Sequence, residues 1–232
     1  MKEVIIFHIV YLIKIRISLL NDELEELGKI LIKNNRTFSE KGIMLNIGSI
    51  SLTKMGGNTK QFRKQDIKIQ KASDIVNKIM EMAKFHDKIL EAVEIVNNSI
   101  EFGIHIIMLS CLLHLIVTSY FLLIDIFLRG SPVVIIQQLI WIQVHVGRIL
   151  LIVEPCQSCV NEHKKTKIKV CELLTYDMNE EVKNSMEYFS LQLMYCEMDF
   201  SCCGFFEINR SLLTSIAGAV FTYLVILFQF ED

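Results

Sequence analysis

Turn-forming residues are scarce in this sequence, which has only two prolines and ten glycines in 232 residues. Long stretches rich in Ile, Leu, Val and Phe alternate with stretches rich in Lys and Glu. This alternation, with so few residues that break helices, suits helices joined by solvated helical extensions rather than a turn-rich fold. We therefore predict an all-α chain.

An excess of basic charge is also lacking. The 24 Lys and Arg residues stand against 26 Asp and Glu residues, which gives a formal net charge of −2. Proteins that bind nucleic acid neutralise its phosphates with clustered basic side chains, and this gives most of their salt-dependent affinity. We therefore expect no nucleic-acid partner.

Catalytic signatures are missing as well. The sequence contains no G-x-S-x-G elbow, no glycine-rich phosphate loop, no H-E-x-x-H helix and no paired acids in an apolar setting. The seven cysteines are odd in number and scattered through apolar segments, unlike a secreted disulfide framework. We predict that the protein is not an enzyme, that it needs no cofactor, and that its cysteines face a reducing compartment.

One cysteine cluster could be interpreted as a zinc site or a redox pair. Cys156 and Cys159 are followed by His163 and Cys171. Structural zinc usually takes four ligands, often as two closely spaced pairs, and here the second pair is missing. We predict no metal site, and keep a membrane enzyme built on Cys156, Cys159 and His163 as a rival hypothesis.

Long apolar segments point to a membrane. The hydrophobic share is 52% and the mean hydropathy is +0.40, both higher than in an ordinary soluble domain. Residues 102–124 contain no Asp, Glu, Lys or Arg, and at about 1.5 Å per residue they can cross a hydrocarbon core of about 30 Å. We predict a polytopic membrane helical bundle with transmembrane helices at 102–128, 132–153 and 207–230, and with the end of a truncated transmembrane helix at 1–20.

The ends of these helices follow from local signals. Arg129-Gly130-Ser131-Pro132 predicts a tight turn, and Pro132 can open the next helix because its missing N–H would be unpaired there anyway. Pro155 is predicted to end that helix.

Two charged regions, 21–101 and 154–206, are predicted to be cytoplasmic loops with long anchor helices. About fifteen of the 24 Lys and Arg residues lie between Lys14 and Lys88, an enrichment typical of cytoplasmic loops. This orientation makes the C-terminus extracellular. Within the first region, residues 55–58 (Met-Gly-Gly-Asn) predict a flexible break.

A heptad pattern runs through residues 75–100. Apolar side chains alternate at four-residue and three-residue spacing, which predicts one long helix that buries this stripe against other helices. A calmodulin-like target helix is the alternative. His86 lies in the stripe, and we interpret it as a hydrogen-bonded core histidine rather than a metal ligand.

The second predicted span carries polar groups, namely Gln137, Gln138, Gln143, His145 and Arg148. A charged group facing lipid near the bilayer centre costs at least about 2.5 kcal/mol, so these side chains should face protein or water. Hydrogen bonding between helices and the lining of a wet cavity both remain open.

The last span is free of charge from Leu212 to Phe230. It contains small residues that allow close helix approach in lipid, namely Ser215, Ala217, Gly218 and Ala219. Gln229 places an amide near its end. Such a helix could line a pore with an apolar constriction below a polar mouth, or it could be an ordinary packing helix.

This ending resembles that of the insect gustatory receptor family, relatives of the odorant receptors, whose final helix carries Thr-Tyr, five apolar residues and Gln-Phe. Thr222, Tyr223, Gln229 and Phe230 match this motif with the same spacing. The lead-in at 203–213 and the His86-Asp87-Lys-Ile89 helix also look like the family.

The resemblance implies a seven-pass receptor that assembles as a homo- or hetero-tetramer around a central pore formed by the last helix. By position, Ile226, Gln229 and Phe230 become candidates for the pore constriction, and Thr222 and Tyr223 for anchoring that helix. The helix with His86, Asp87 and Ile89 would belong to an intracellular anchor. The spans of this chain would correspond to the family's spans four to seven, as expected of a partial or truncated chain.

The resemblance also implies a function. We expect a subunit of a ligand-gated, non-selective cation channel for taste in the plasma membrane of an insect, with a small-molecule tastant and membrane lipid as partners. Gln137, Gln138 and Trp141 are the candidates for the ligand pocket. The alternative is a non-conducting membrane scaffold or regulatory fragment that associates with complete receptors.

Overall fold

The computed structural model describes the backbone of residues 2–47, 58–202 and 204–229, and the side chains of residues 2–33, 69–127, 130–202 and 204–229. Five α-helices and one two-stranded ribbon follow in chain order. They are α1 (Lys2–Ile47), α2 (Asn58–Ile124), α3 (Pro132–Leu174), α4 (Glu180–Tyr195), β1 (Ser201–Cys202), β2 (Phe206–Glu207) and α5 (Arg210–Gln229).

The prediction of an all-α membrane fold is confirmed. Among the described residues, three helices, α2, α3 and α5, are long and apolar enough to cross a membrane. The short ribbon of β1 and β2 was not predicted. The flexible break predicted at 55–58 lies outside the described residues except for Asn58, which begins α2.

The turn between α2 and α3 follows the sequence prediction. After a π-helical turn at Asp125–Arg129, Gly130 adopts a left-handed conformation with φ of 59°, and its N–H donates to the Asp125 carbonyl at 2.7 Å. Residues with a side chain rarely adopt this conformation, which explains why position 130 is a glycine. Pro132 is then the first residue of α3, as predicted.

The prediction that Pro155 ends the helix that begins at Pro132 is wrong. Pro155 lies inside α3, which continues to Leu174. A proline removes one backbone hydrogen bond, in this case to the Leu151 carbonyl, but membrane helices tolerate prolines because neighbouring groups compensate for the lost bond. The uncharged and the charged parts of this segment therefore form one helix.

The chain divides into two compact units. The apolar unit comprises Met1–Ile15, Glu91–Asn161 and Met198–Asp232, and the charged unit comprises Arg16–Leu90 and Glu162–Glu197. Each unit takes segments from several helices, and each has its own buried residues.

The charged unit has a hydrophobic core built from one face of each of its four helical segments. The face of α1 that contributes to it has leucines at intervals of three or four residues, as an amphipathic helix requires. Gly28 on α1 lies so close to α3 that an added Cβ would come within 3.0 Å of the Leu173 side chain. The core residues include Leu20, Leu24, Leu27 and Leu31 from α1, Ile79 and Met82 from α2, Val170 and Leu173 from α3, and Val182, Met186, Phe189 and Leu193 from α4.

A buried polar cluster joins α1 to α3 inside the charged unit. The Thr166 hydroxyl donates to the Asn21 side-chain oxygen at 2.8 Å, and the Asn21 amide donates to the Glu162 carbonyl at 3.1 Å. Lys169 donates to the Asn21 carbonyl at 2.9 Å. If one helix slid along the other, these buried polar groups would lose their hydrogen-bond partners, which costs free energy. The bonds therefore fix the register between the two helices.

Candidate functional site

The last helix, α5, buries very little of its surface. None of its described residues is buried, and Phe221 is 69% exposed, Tyr223 52% and Ile226 40%. Gln229 is exposed as well, and Phe230 lies outside the described residues. An apolar helix of this kind must find its burial in lipid or against another chain.

One side of α5 faces α2 and α3 within the apolar unit. A groove of about 470 Å³ lies between the three helices, and apart from Ser119 its lining is apolar. Leu213, Ala217, Val220 and Leu224 line it from α5. Near the C-terminal end of α5, the Phe228 ring packs edge-on against the Phe127 ring, and the ring centroids are 6.3 Å apart.

The N-terminal end of α5 is held by polar contacts. The Asn209 side-chain oxygen accepts hydrogen bonds from the backbone N–H of Ser211 at 3.0 Å and of Leu212 at 3.3 Å, which caps the helix. The Arg210 guanidinium donates to both carboxylate oxygens of Glu154 on α3, at 3.1 and 2.8 Å. The backbone N–H of Arg210 donates to the side chain of Gln157, also on α3, at 3.1 Å.

The segment before α5 is fixed to α2. Asn97 donates to the Asp199 carbonyl at 2.9 Å, and the Cys202 thiol donates to the Glu101 carbonyl at 3.3 Å. The ribbon of β1 and β2 turns through Gly204, which has a φ of 68°. These contacts set where α5 begins.

The residues predicted for a ligand pocket lie on α3. Gln137 and Trp141 are exposed, and Gln138 is half-buried. The Trp141 ring stacks on His145 at 6.0 Å, and His145 stacks on His114 of α2 at 4.6 Å. The structure therefore places Trp141 at one end of a three-ring stack.

An ion pair that the sequence reasoning missed joins α1 to α3 in the apolar unit. Arg148 donates from both Nε and Nη2 to the Glu3 carboxylate, and Glu3 is buried. Arg148 and Gln143 also line an open groove of about 520 Å³. Arg148 therefore makes hydrogen bonds between helices, which is one of the two possibilities left open for the polar side chains of this span. Its partner could be found only from the pairing of α1 with α3 in space.

The predicted anchor residues lie in the charged unit. His86 is buried and hydrogen-bonded, as predicted, with its Nε2 at 3.2 Å from Nδ1 of His163 and its ring edge-on to Phe189. Asp87 accepts a hydrogen bond from Gln192 of α4 at 2.8 Å. Ile89 is buried.

The two paired histidines are held neutral. Burial lowers the pKa of both His86 and His163 to about 4, and the nearby Lys167 adds to the effect. They lie outside the uncharged spans, because charged residues surround both positions along α2 and α3. In the neutral pair one ring donates its N–H to the other, and the tautomer decides which one.

The cysteine cluster does not assemble with further ligands. Among the described residues, no group of three or more His, Cys, Asp or Glu side chains is arranged to hold a metal ion. Cys156 and Cys159 are buried on α3, and the Cys159 sulfur lies 3.7 Å from that of Met198. Cys171 is exposed.

Comparison with known proteins identifies the family. The model of the family described as 7tm Chemosensory receptor matches residues 4–232. This chain belongs to the 7tm chemosensory receptor family. The predicted family resemblance is therefore confirmed. The prediction that the protein is not an enzyme is confirmed as well, because this is a family of receptors.

Curated relatives and a solved structure agree with this membership. "Gustatory receptor for sugar taste 43a" of Drosophila melanogaster is 34% identical over 184 residues, which make up 78% of this chain and 41% of that receptor. "Putative gustatory receptor 28b" of the same species is 39% identical over 84 residues, or 36% of this chain and 18% of that receptor. The insect olfactory receptor OR5 from Machilis hrabei has a similar fold, with a TM-score of 0.51 and 16% identity over 65% of this chain and 38% of that chain.

The chain thus spans less than half the length of the curated relatives that it matches. Its membership in a chemosensory receptor family and its apolar helices, long enough to cross a membrane, are established.

Proposed function

We propose that this chain is part of a gustatory receptor subunit that works as a ligand-gated, non-selective cation channel in the plasma membrane, with α5 lining the pore. Family membership supports the receptor role. The observation that supports the pore is α5 itself, a 20-residue helix, uncharged after Arg210, without a buried side chain among its described residues. An extracellular C-terminal end is supported by the Lys-rich segments, because basic residues are enriched in cytoplasmic loops.

The chemistry of α5 fits a gate. Ile226 and Gln229 lie three residues apart and share one face of the helix. In a ring of copies, Ile226 would give an apolar constriction that opens by wetting, and Gln229 would give a polar mouth beside Phe230. Thr222 and Tyr223 would anchor the helix against its neighbours.

The charged helices would hold the copies together. On α4, the face opposite the buried core side chains carries an exposed apolar stripe of Tyr188, Leu191, Met194 and Tyr195. Exposed apolar patches of this kind mark association surfaces. We propose that this stripe, with the segment of α2 around His86, forms the cytoplasmic anchor of a tetramer.

A sugar is the first ligand class to test, since one relative is named as a receptor for sugar taste. Gln137 and Gln138 offer amide donors and acceptors for hydroxyl groups, and Trp141 offers an aromatic face. A bound sugar in the outer half of the bundle would favour the state in which the last helices move apart.

Patch-clamp recording tests the channel. Cells expressing the complete receptor that carries this sequence are exposed to a panel of hexoses and disaccharides, with Gln229→Ala as the test variant and Gln70→Ala, on α2 outside the uncharged span, as the control. We expect Gln229→Ala to change the ratio of cation permeabilities and Gln70→Ala to leave it unchanged. Unaltered permeation in Gln229→Ala would refute the pore assignment, and co-purification with complete receptors without any current would favour the scaffold alternative.

A further inference from the structure

The two ends of α5 are attached to the rest of the apolar unit in different ways. We propose that Arg210 is a positioning residue that fixes the N-terminal end of α5 on α3 through Glu154 and Gln157, so that opening moves the C-terminal end of α5 about this fixed point. The inference rests on the proposed channel function and adds to it the point about which the pore helix moves.

The attachment at Arg210 is geometrically specific. Two nitrogens of its guanidinium meet the two oxygens of Glu154, at 3.1 and 2.8 Å, so the contact fixes orientation as well as distance. The backbone N–H of the same residue donates to Gln157, three residues further along α3. The side chain and the backbone of one residue therefore contact two positions of α3 that lie about one helical turn apart.

Contacts on the chain before Arg210 strengthen this fixed point. Asn209 caps α5, and the preceding ribbon is bonded to α2 through the Glu101 carbonyl. The N-terminal end of α5 is thus tied to both neighbouring helices of the apolar unit. The Arg210–Glu154 pair is exposed, so this one contact is weak by itself. Sliding or rotating this end of the helix would nevertheless break several directional bonds together.

The rest of α5 lacks such bonds. Among the described residues 212–229, the side-chain hydrogen bonds of Thr214, Ser215 and Thr222 all go to carbonyls of α5 itself. The contacts of this part with α2 and α3 are apolar, as in the edge-on pair of Phe127 and Phe228. Apolar contacts are not directional, so this part can tilt at little cost while the Arg210 end stays in place.

Charge exchange tests the role of Arg210. We expect Arg210→Glu and Glu154→Arg each to reduce the sugar-evoked current per surface receptor by about fivefold, because like charges then meet where a bidentate pair stood. The double exchange should restore at least half of the current, with the permeability ratio unchanged throughout. Exchange of Lys183 and Glu187, an ion pair within α4, is the matched control and should have no effect. Failure of the double exchange to restore the current would overturn the proposal.

Cross-linking tests the geometry without relying on current. A protease site is placed in the turn at 175–179, and cysteine pairs replace either Glu154 and Arg210 or Phe127 and Phe228. After treatment with a short bifunctional thiol reagent and cleavage, only a bridged chain stays intact on a non-reducing gel, and the parent with its seven native cysteines is the blank. We expect the Glu154/Arg210 pair to bridge in high yield with and without sugar.

The two bridges should have opposite effects on the channel. Bridging the Glu154/Arg210 pair should recover the current lost in that double cysteine variant, whereas bridging the Phe127/Phe228 pair should abolish the current. A poor yield for the Glu154/Arg210 pair, or a current that its bridge blocks, would contradict a fixed N-terminal end. If the wild type carries no current at all, the channel proposal fails and the yields on the gel still decide whether Arg210 is held at Glu154.

Discussion

The helices α4 and α5 lie close together in the sequence but obtain their burial differently. In its 16 residues α4 is amphipathic and buries Val182, Met186, Phe189 and Leu193 in the core of the charged unit. In its 20 residues α5 is apolar almost all round and has no buried side chain among those described. Mean hydropathy alone would rank α5 as the more buried helix, and the structure shows the reverse.

The difference teaches where each helix gains its stability. The apolar face of α4 is covered by helices of its own chain, so α4 should fold with the protomer. The described part of the chain covers little of the surface of α5, so the burial of α5 depends on lipid or on another chain. A side-chain truncation should therefore have very different consequences in the two helices.

The largest expected effect tests this contrast with one residue type. Phe189→Ala in α4 should lower the free energy of unfolding by about 3 to 5 kcal/mol, because it opens a cavity in a fully buried core. Phe221→Ala in α5, where the ring is 69% exposed, should change it by less than about 0.5 kcal/mol. Thermal unfolding of the two variants in detergent measures both. Equal losses of stability would remove the distinction between the helices.

The next effect concerns the ion pair of Glu3 and Arg148, which joins α1 to α3 in the apolar unit. Arg148→Met should destabilise the protein by about 3 kcal/mol, because it removes the guanidinium that is ion-paired with the buried Glu3 carboxylate. The double variant Glu3→Leu/Arg148→Met should be more stable than Arg148→Met alone, since the buried carboxylate is removed together with the guanidinium. Thermal unfolding distinguishes the two, and a double variant no better than the single one would mean that the pair does not act as a unit.

A third effect is a dependence on pH that belongs to the charged unit. The pKa of His86 and of His163 is about 4 in the folded chain, below the ordinary value of 6.5, so the unfolded chain binds protons first as the pH falls. The free energy of unfolding is therefore highest above about pH 6.5 and falls as the pH is lowered toward 4. Each histidine lowers it by about 2 kcal/mol between about pH 7 and pH 5.

Melting temperatures across this range measure the loss. The double variant His86→Leu/His163→Leu should flatten the pH dependence, whereas His8→Gln, at an exposed position, should leave it intact. A pH profile that does not change in the double variant would assign the dependence to other groups.

The smallest effect on folding lies on the exposed stripe of α4. Leu191→Ser together with Tyr195→Ser should change the free energy of unfolding by less than about 0.5 kcal/mol, because both side chains are exposed. The same change should lower the fraction of tetramer in size-exclusion chromatography if the stripe joins the copies. Lys183→Ser together with Glu187→Ser is the matched control, since it changes two exposed polar residues of the same helix and leaves the stripe intact. An unchanged tetramer fraction in the stripe variant would place the anchor elsewhere.

Local sequence signals predicted the helices well. The uncharged run at 102–124, the turn at Gly130 and the start of α3 at Pro132 depend on composition and on backbone chemistry that neighbours in the sequence determine. Pro155 misled the prediction because its effect on a helix depends on groups supplied by neighbouring helices. The ribbon of β1 and β2 was missed because two-residue strands leave no periodic pattern.

The pairings in space could not be predicted in the same way. Nothing near Glu3 in the sequence indicates Arg148, and nothing near His86 indicates His163, since each pair forms only when distant helices pack together. The stripe position of His86 was enough to predict burial and a hydrogen bond, but not its partner. The same applies to Arg210, whose partners Glu154 and Gln157 lie on another helix.

The most direct test of the account is the accessibility of α5 to water from the extracellular side. Single cysteines are placed at Ile226 and Gln229 on the proposed pore face and at Leu224, which lines the groove toward α2 and α3. A charged, membrane-impermeant thiol reagent is then applied during the sugar-evoked current. The account predicts that the current falls for Ile226→Cys and Gln229→Cys and is unaffected for Leu224→Cys. Protection of the first two positions, or a faster reaction at Leu224→Cys, would contradict it.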